Sequence, residues 1–216
     1  MTDSASSLPK QSAYVMLVVV MLLWSSGIIV ARSVHELVVP IGFSFWRWLV
    51  AALILSPFAW PLLKIHLTFL RTQFLHIALL GLFIAGGSTM IIVAVRYTTA
   101  TNVALVGATQ PLTTALVAWF ILRERLSARQ LIGIAAATVG IVAMIARLDF
   151  EILQSLSFNP GDSGMLLSVS FYALYAVNLH RWIGQVGPVL VMFLTASGGA
   201  IVLLPFYLVE ATLVEQ

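Results

Sequence analysis

The chain has 216 residues, 61% of them hydrophobic and only 9% Asp, Glu, Lys or Arg, against roughly 25% charged in a soluble domain. Eleven basic and eight acidic residues cannot coat a water-soluble globule of this size, so the composition excludes a soluble fold and indicates an integral membrane protein. The net charge of +3 does not mark a nucleic-acid partner, and the absence of cysteine excludes a disulfide framework, a thiol nucleophile or a thiolate metal site.

A helix that crosses ~30 Å of hydrocarbon needs about 20 mostly apolar residues. In chain order the sequence predicts seven such spans, at 13–31, 41–60, 75–95, 102–122, 128–146, 164–179 and 188–208. The runs are continuous in Leu, Ala, Val and Ile, which excludes the alternation of an outer-membrane barrel. The fold class is therefore all-α. Span one exceeds the roughly 7–15 apolar residues of a cleavable signal and lacks a small-x-small site after Ala31, so it reads as a retained anchor. The connectors 32–40, 61–74, 96–101, 123–127 and 180–187 read as short and polar, and only 147–163 is longer.

Basic residues set the orientation. Lys10, Lys64, Arg71, Arg123, Arg125, Arg129 and Arg181 fall on the side of the N-terminal tail and the even-numbered connectors, while Arg32, Arg96 and Arg147 fall on the other. The positive-inside rule then places the N-terminus in the cytoplasm. A multi-pass location follows, with the bacterial plasma (inner) membrane as the expected one.

A shift of 148 residues lays span seven on span two. Pro40 then matches Pro188, Phe45 matches Phe193, Ala52 matches Ala200, and Pro57-Phe58 at the expected exit matches Pro205-Phe206. The repeat unit would hold five spans, an odd number, so the second copy must enter the membrane in the opposite sense. Inverted repeats of this kind are the signature of alternating-access transporters with a midplane site. The expected organisation is a cytoplasmic tail (1–12), a first five-helix repeat (13–146), an outer connector (147–163) and the start of a second repeat (164–216). Three further spans would complete the second copy, and twice the offset gives about 296 residues. The sequence is thus expected to be three-quarters of a transporter.

Five motifs in order carry a resemblance. Leu22-Leu23-Trp24-Ser25-Ser26-Gly27 opens the series, and Pro40 followed by Phe45-Trp46-Arg47-Trp48 is the second. Arg96-Tyr97-Thr98, Ala104-Leu105 and Pro111 form the third, and Leu122-Arg123-Glu124-Arg125-Leu126 with Gln130, Gly133 and Gly140 the fourth. Gly161-Asp162 with Phe171-Tyr172-Ala173-Leu174-Tyr175 is the fifth. Together they resemble the EamA-type branch of the drug/metabolite transporter superfamily over about residues 15 to 208. Phe171 stands where that family usually has tryptophan. The resemblance implies a ten-helix transporter, an exporter of amino acids, other small metabolites or drug-like compounds. It also implies two inverted five-helix repeats.

Several residues are candidates for lining a substrate cavity. Arg47 lies about 10 Å into span two by helix rise, where a charge is costly and serves a cavity or a partner; snorkelling to the headgroups is the competing reading. Trp46 and Trp48 flank it and could shield its charge. Trp24 sits mid-span, away from the interfaces where Trp anchors, and packing is its alternative. Trp60, Trp119 and Trp182 read as interfacial anchors. Pro111 is expected to kink span four, with Gln110 beside the kink and Asn102 capping the helix start. Tyr172, Tyr175 and Asn178 share one face of span six by i, i+3, i+6 spacing. Gly81, Gly86-Gly87, Gly133, Ala137, Gly140 and Gly198-Gly199 read as sites of close helix approach.

No constellation of catalytic carboxylates, cysteines or histidine pairs lies within the spans, so an enzyme is not expected, nor a metal or other cofactor. His35, His66, His76 and His180 show no ligand spacing. A retinal protein would need a lysine in its last helix, and the lysines are Lys10 and Lys64. The expected partners are a small-molecule substrate and the lipid bilayer, with monomer and homodimer both open. An accessory, non-transporting subunit of a larger complex is the alternative function. Without a span-embedded carboxylate, facilitated diffusion, exchange or coupling through further helices is the expected energetics.

Overall fold

The computed structural model describes residues 10–33, 39–123, 126–145, 159–182 and 186–214. Every regular element among them is a helix. Inside hydrocarbon no water is present to satisfy a backbone amide, so a helix, which closes all its hydrogen bonds internally, is what these apolar runs can form. Residues 1–37 form one unit and residues 38–216 another. The first contains α1 (Lys10–Ser33), whose residues 14–23 are an unbroken run of exposed apolar side chains.

The second unit contains α2 (Pro40–Ile65), α3 (Leu67–Thr72), α4 (Phe74–Tyr97), α5 (Ala100–Gly107), α6 (Gln110–Leu122), α7 (Ala128–Ile145), α8 (Pro160–Trp182) and α9 (Pro188–Val214). Proline starts three of them, α2, α8 and α9, and lies in the first turn of α6. Its missing N–H is one of the amides that a first turn leaves unbonded in any case, and its fixed φ suits that position. Four stretches among the described residues are long and apolar enough to cross a membrane: Pro40–Ile65, Phe74–Tyr97, Thr101–Leu122 and Pro188–Leu213. The chain is a multi-pass, all-α membrane protein.

Helices α4 and α9 cross where neither carries a side chain. A Cβ built on Gly81 would lie 2.5 Å from the carbonyl carbon of Gly198, and one on Gly199 would lie 2.9 Å from the Ala85 methyl. Helix α8 runs antiparallel along another face of α4. Gly161 meets the Ala94 carbonyl and Thr98 near one end, and Gly86 meets the Phe171 ring further along. Between them, Ala94, Met165 and Val169 form a buried cluster. Helices α2 and α9 are antiparallel too. Phe45 stacks on Tyr207 at 4.7 Å, and Ala59 packs with Leu190 and Val191. Helix α5 and then α6 follow α8 in the same direction, through Asn102 to Asp162 and Gln110 to Val169.

Five local expectations change. The fourth span is not one kinked helix: it is interrupted at Ala108–Thr109, and Pro111 sits in the first turn of α6. Pro111 has no N–H for the Gly107 carbonyl, and Thr109 N–H turns tighter, to the Val106 carbonyl at 3.0 Å. Pro57 and Pro205 lie inside α2 and α9 rather than at their exits. Pro57 leaves the Leu53 carbonyl without its amide, and the Ser56 hydroxyl donates to that oxygen instead, at 2.8 Å. The connector at 61–74 is mostly helix, α2 continuing to Ile65 and α3 following. Helix α8 begins at Pro160, inside the expected outer connector; residues 147–158 lie outside the described residues. Gly133 and Gly140 meet nothing within 4 Å, so the α7 glycines do not mark a close helix contact among the described residues.

The contrast between these glycines gives a test. Gly81→Ala forces α4 and α9 apart, and overpacking costs about 1–3 kcal/mol, so the melting temperature in detergent falls. Gly133→Ala adds a methyl in open space and gains up to ~1 kcal/mol of helix propensity. Its melting temperature holds or rises.

Candidate functional site

Two polar assemblies lie within the second unit, one at an end of the bundle and one near its middle. The first is built around Asp162, which is 3% exposed. Thr99 caps α5 by accepting from Asn102 N–H at 3.2 Å. Asn102 is therefore not the cap that its position suggested. Its side-chain amide instead donates to Asp162 Oδ2 of α8 at 2.9 Å. Asn159 and Asp162 form a reciprocal box at the start of α8. Asn159 N–H donates to Asp162 Oδ2 at 3.0 Å, and Asp162 N–H donates to Asn159 Oδ1 at 3.3 Å. The Thr98 hydroxyl donates to Asp162 Oδ1 and accepts from the Asn159 amide at 3.0 Å. One carboxylate thus joins the end of α4, the start of α5 and the start of α8. A buried charge is tolerated when several donors point at it, and the hydrogen in place of a side chain at Gly161 lets the backbones come close enough to supply them.

The second assembly lies where α2, α4, α8 and α9 meet. The Arg47 guanidinium lies over the Trp48 ring, 5.4 Å from its centroid. Trp48 is held in turn by its indole N–H, which donates to Ser88 Oγ of α4 at 3.1 Å. Ser88 passes the bond on to the Ala85 carbonyl at 3.0 Å. Next to Ser88 is Gly87, and the Tyr172 ring of α8 lies against it, 3.2 Å from where a Cβ would be. The Gly87 carbonyl accepts from the Ser168 hydroxyl at 2.7 Å. Arg47 and Tyr172 are within electrostatic reach of each other. One turn further along α8, the Tyr175 hydroxyl neighbours Thr195 of α9. Arg47 has no carboxylate partner among the described residues.

The candidate residues thus divide. Arg47, Tyr172 and Tyr175 gather in one region with Trp48, which the sequence set beside Arg47, and with Ser88 and Thr195, which spacing alone did not single out. A signal for Ser88 exists in Gly86-Gly87-Ser88-Thr89, four small or polar residues in an otherwise apolar span. Gln110 is placed between α6 and α8, its amide donating to Thr114 Oγ1 at 3.1 Å and to the Val169 carbonyl at 3.3 Å. The Asn178 amide donates one turn back to the Leu174 carbonyl at 2.8 Å. Trp24 belongs to α1, and its side chain lies outside the described residues. Of the expected anchors, Trp60 and Trp119 are exposed. Three or more His, Cys, Asp or Glu side chains that could hold a metal do not cluster among the described residues.

Comparison with known proteins places these features in a wider group. The EamA-like transporter family matches residues 11–146. An uncharacterized transporter of Bacillus subtilis (strain 168), YyaM, is 28% identical over 168 residues, 76% of this chain and 54% of the relative. An uncharacterized transporter of Archaeoglobus fulgidus is 25% identical over 206 residues, 93% of this chain and 68% of the relative. The chain thus spans about half the length of the first relative and about two-thirds of the second. No solved structure matches it significantly.

The Asp162 assembly carries its own test. Asp162→Ala leaves the Asn102 amide and the Thr98 hydroxyl buried without their acceptor, at about 1–3 kcal/mol each. Its melting temperature falls well below that of an exposed control, Ser163→Ala, which stays at the wild-type value.

Proposed function

The chain belongs to the EamA-like transporter family, and on that premise we propose that it acts as a secondary transporter of small organic solutes, exporting metabolites or drug-like compounds by alternating access. In this reading the chain crosses the bilayer seven times as part of a ten-helix, inverted-repeat protein. Its N-terminus is in the cytoplasm and its membrane is the bacterial plasma membrane. Arg47, Tyr172, Tyr175 and Gln110 line a midplane path within the second unit, Trp24 of the first unit is a separate candidate for solute contact, and Pro111 marks a hinge in the fourth span.

The observation that carries this reading is the relation of α2 to α9. Both begin on proline, at positions 148 residues apart, and both hold an internal proline at the same offset. They run antiparallel, as the second and seventh of alternating crossings must. The other pairs support the same alternation. Helix α4 opposes α8, while α5 and α6 run with α8, so one crossing is needed between the fourth and sixth spans. Helix α7 is the helix available to make it. Two halves of opposite sense can rock about a shared middle, opening it to each side in turn.

Two experiments test the proposal. Because the chain has no cysteine, single cysteines report sidedness without background. Thr68→Cys reacts with a membrane-impermeant maleimide only from the cytoplasmic side, and Tyr97→Cys only from outside; labelling of both from one side overturns the topology. For activity, solute flux in proteoliposomes falls sharply in Arg47→Ala and in Trp24→Ala made separately. Wild-type flux in both variants sinks the proposed path.

A further inference from the structure

Resting on the transporter reading, the middle of the bundle says something about the solute. A guanidinium inside a membrane span is costly unless something compensates its charge, and the Arg47 side chain is exposed rather than packed away among its neighbours. The two carboxylates among the described residues, Asp162 and Glu210, are already committed. Asp162 is engaged by Thr98, Asn102 and Asn159. Glu210 accepts from the Ile41 and Gly42 amides at the start of α2, at 3.1 and 2.6 Å. Neither is on Arg47. Meanwhile Trp48 covers one face of the guanidinium and is itself pinned by Ser88. A ring on the face leaves the planar edge, with its fork of N–H donors, for a planar oxyanion. The Tyr172 ring lies on Gly87, next to the Ser88 that tethers Trp48, an apolar surface with a hydroxyl at its rim.

We propose that the transported solute is an organic anion, a carboxylate attached to an apolar or aromatic body, whose carboxylate is received by Arg47 while the body lies between the Trp48 and Tyr172 rings. A carboxylate can take two parallel N–H bonds from the guanidinium edge. An amine would meet a like charge, and a neutral amide would leave the charge unpaid. A bound anion neutralises the Arg47 charge within the membrane. Loading and unloading therefore change the electrostatic cost of the central helices, which gives the solute a differential effect on the two access states.

The test uses three molecules of one shape: phenylacetate, phenylacetamide and phenethylamine. Each is titrated against the purified protein by quenching of intrinsic tryptophan fluorescence. It is also assayed for counterflow in proteoliposomes. Phenylacetate is expected to bind about ten-fold or more tightly than the other two. Arg47→Gln abolishes that preference, and Arg47→Lys keeps part of it. Equal binding of the three by the wild type, binding of none, or an anion preference that survives in Arg47→Gln would each overturn the proposal. The two readings separate cleanly. Counterflow of amine or amide with no anion preference removes the anion and spares transport. Anion-selective binding without counterflow of any of the three removes transport and spares the anion.

Discussion

A backbone carbonyl that loses its amide partner inside hydrocarbon has no water to turn to, and much of this structure answers that constraint. Apolar runs become helices because a helix needs nothing from its surroundings. The chain departs from that rule in places, and several of these have a local remedy. Ser56 donates to the carbonyl that Pro57 strands. Thr109 tightens the turn before Pro111. Thr99 caps α5 and Asn159 with Asp162 caps α8. The remedies are short hydroxyl, amide and carboxyl side chains placed within a turn of the fault.

Helix α4 is the member on which the second unit depends for its arrangement. It is crossed by α9 at Gly81 and lined by α8 from Gly86 to Thr98, so its small residues let two helices come close on different faces. The close approach has a chemical consequence. With Gly87 bare, Tyr172 can lie against the helix, and with Ser88 beside it, Trp48 can be tethered to the same turn. Packing and the polar centre are thus one feature of Gly86-Gly87-Ser88-Thr89.

How much of this was legible follows from what a sequence encodes locally. The helical class, the apolar runs and the starts at Pro40 and Pro188 are local features, and they could be read. So could the shared face of Tyr172 and Tyr175, which spacing alone defines. Other features depend on partners far along the chain. The amide of Asn102 finds Asp162 sixty residues later, and Trp48 finds Ser88 forty residues later; no spacing rule reaches so far. The helix interiors were also hard to tell from lipid-facing surfaces. Both environments are apolar, so the hydrophobic pattern that marks a core in water carries little contrast here. For that reason Gly81, wedged against α9, and Gly133, in open space, looked alike in the sequence.

The Glu210 clamp on the start of α2 carries a consequence for how the chain is made. Its acceptor oxygens are separated from the Ile41 and Gly42 amides by 168 and 169 residues. Those amides emerge early in synthesis, and the carboxylate that serves them emerges near residue 210. During translation the first turn of α2 must therefore wait at the membrane surface, bonded to water or headgroups, until the ninth helix arrives. The start of α2 is thus inserted early and capped late, by an acid that α9 delivers.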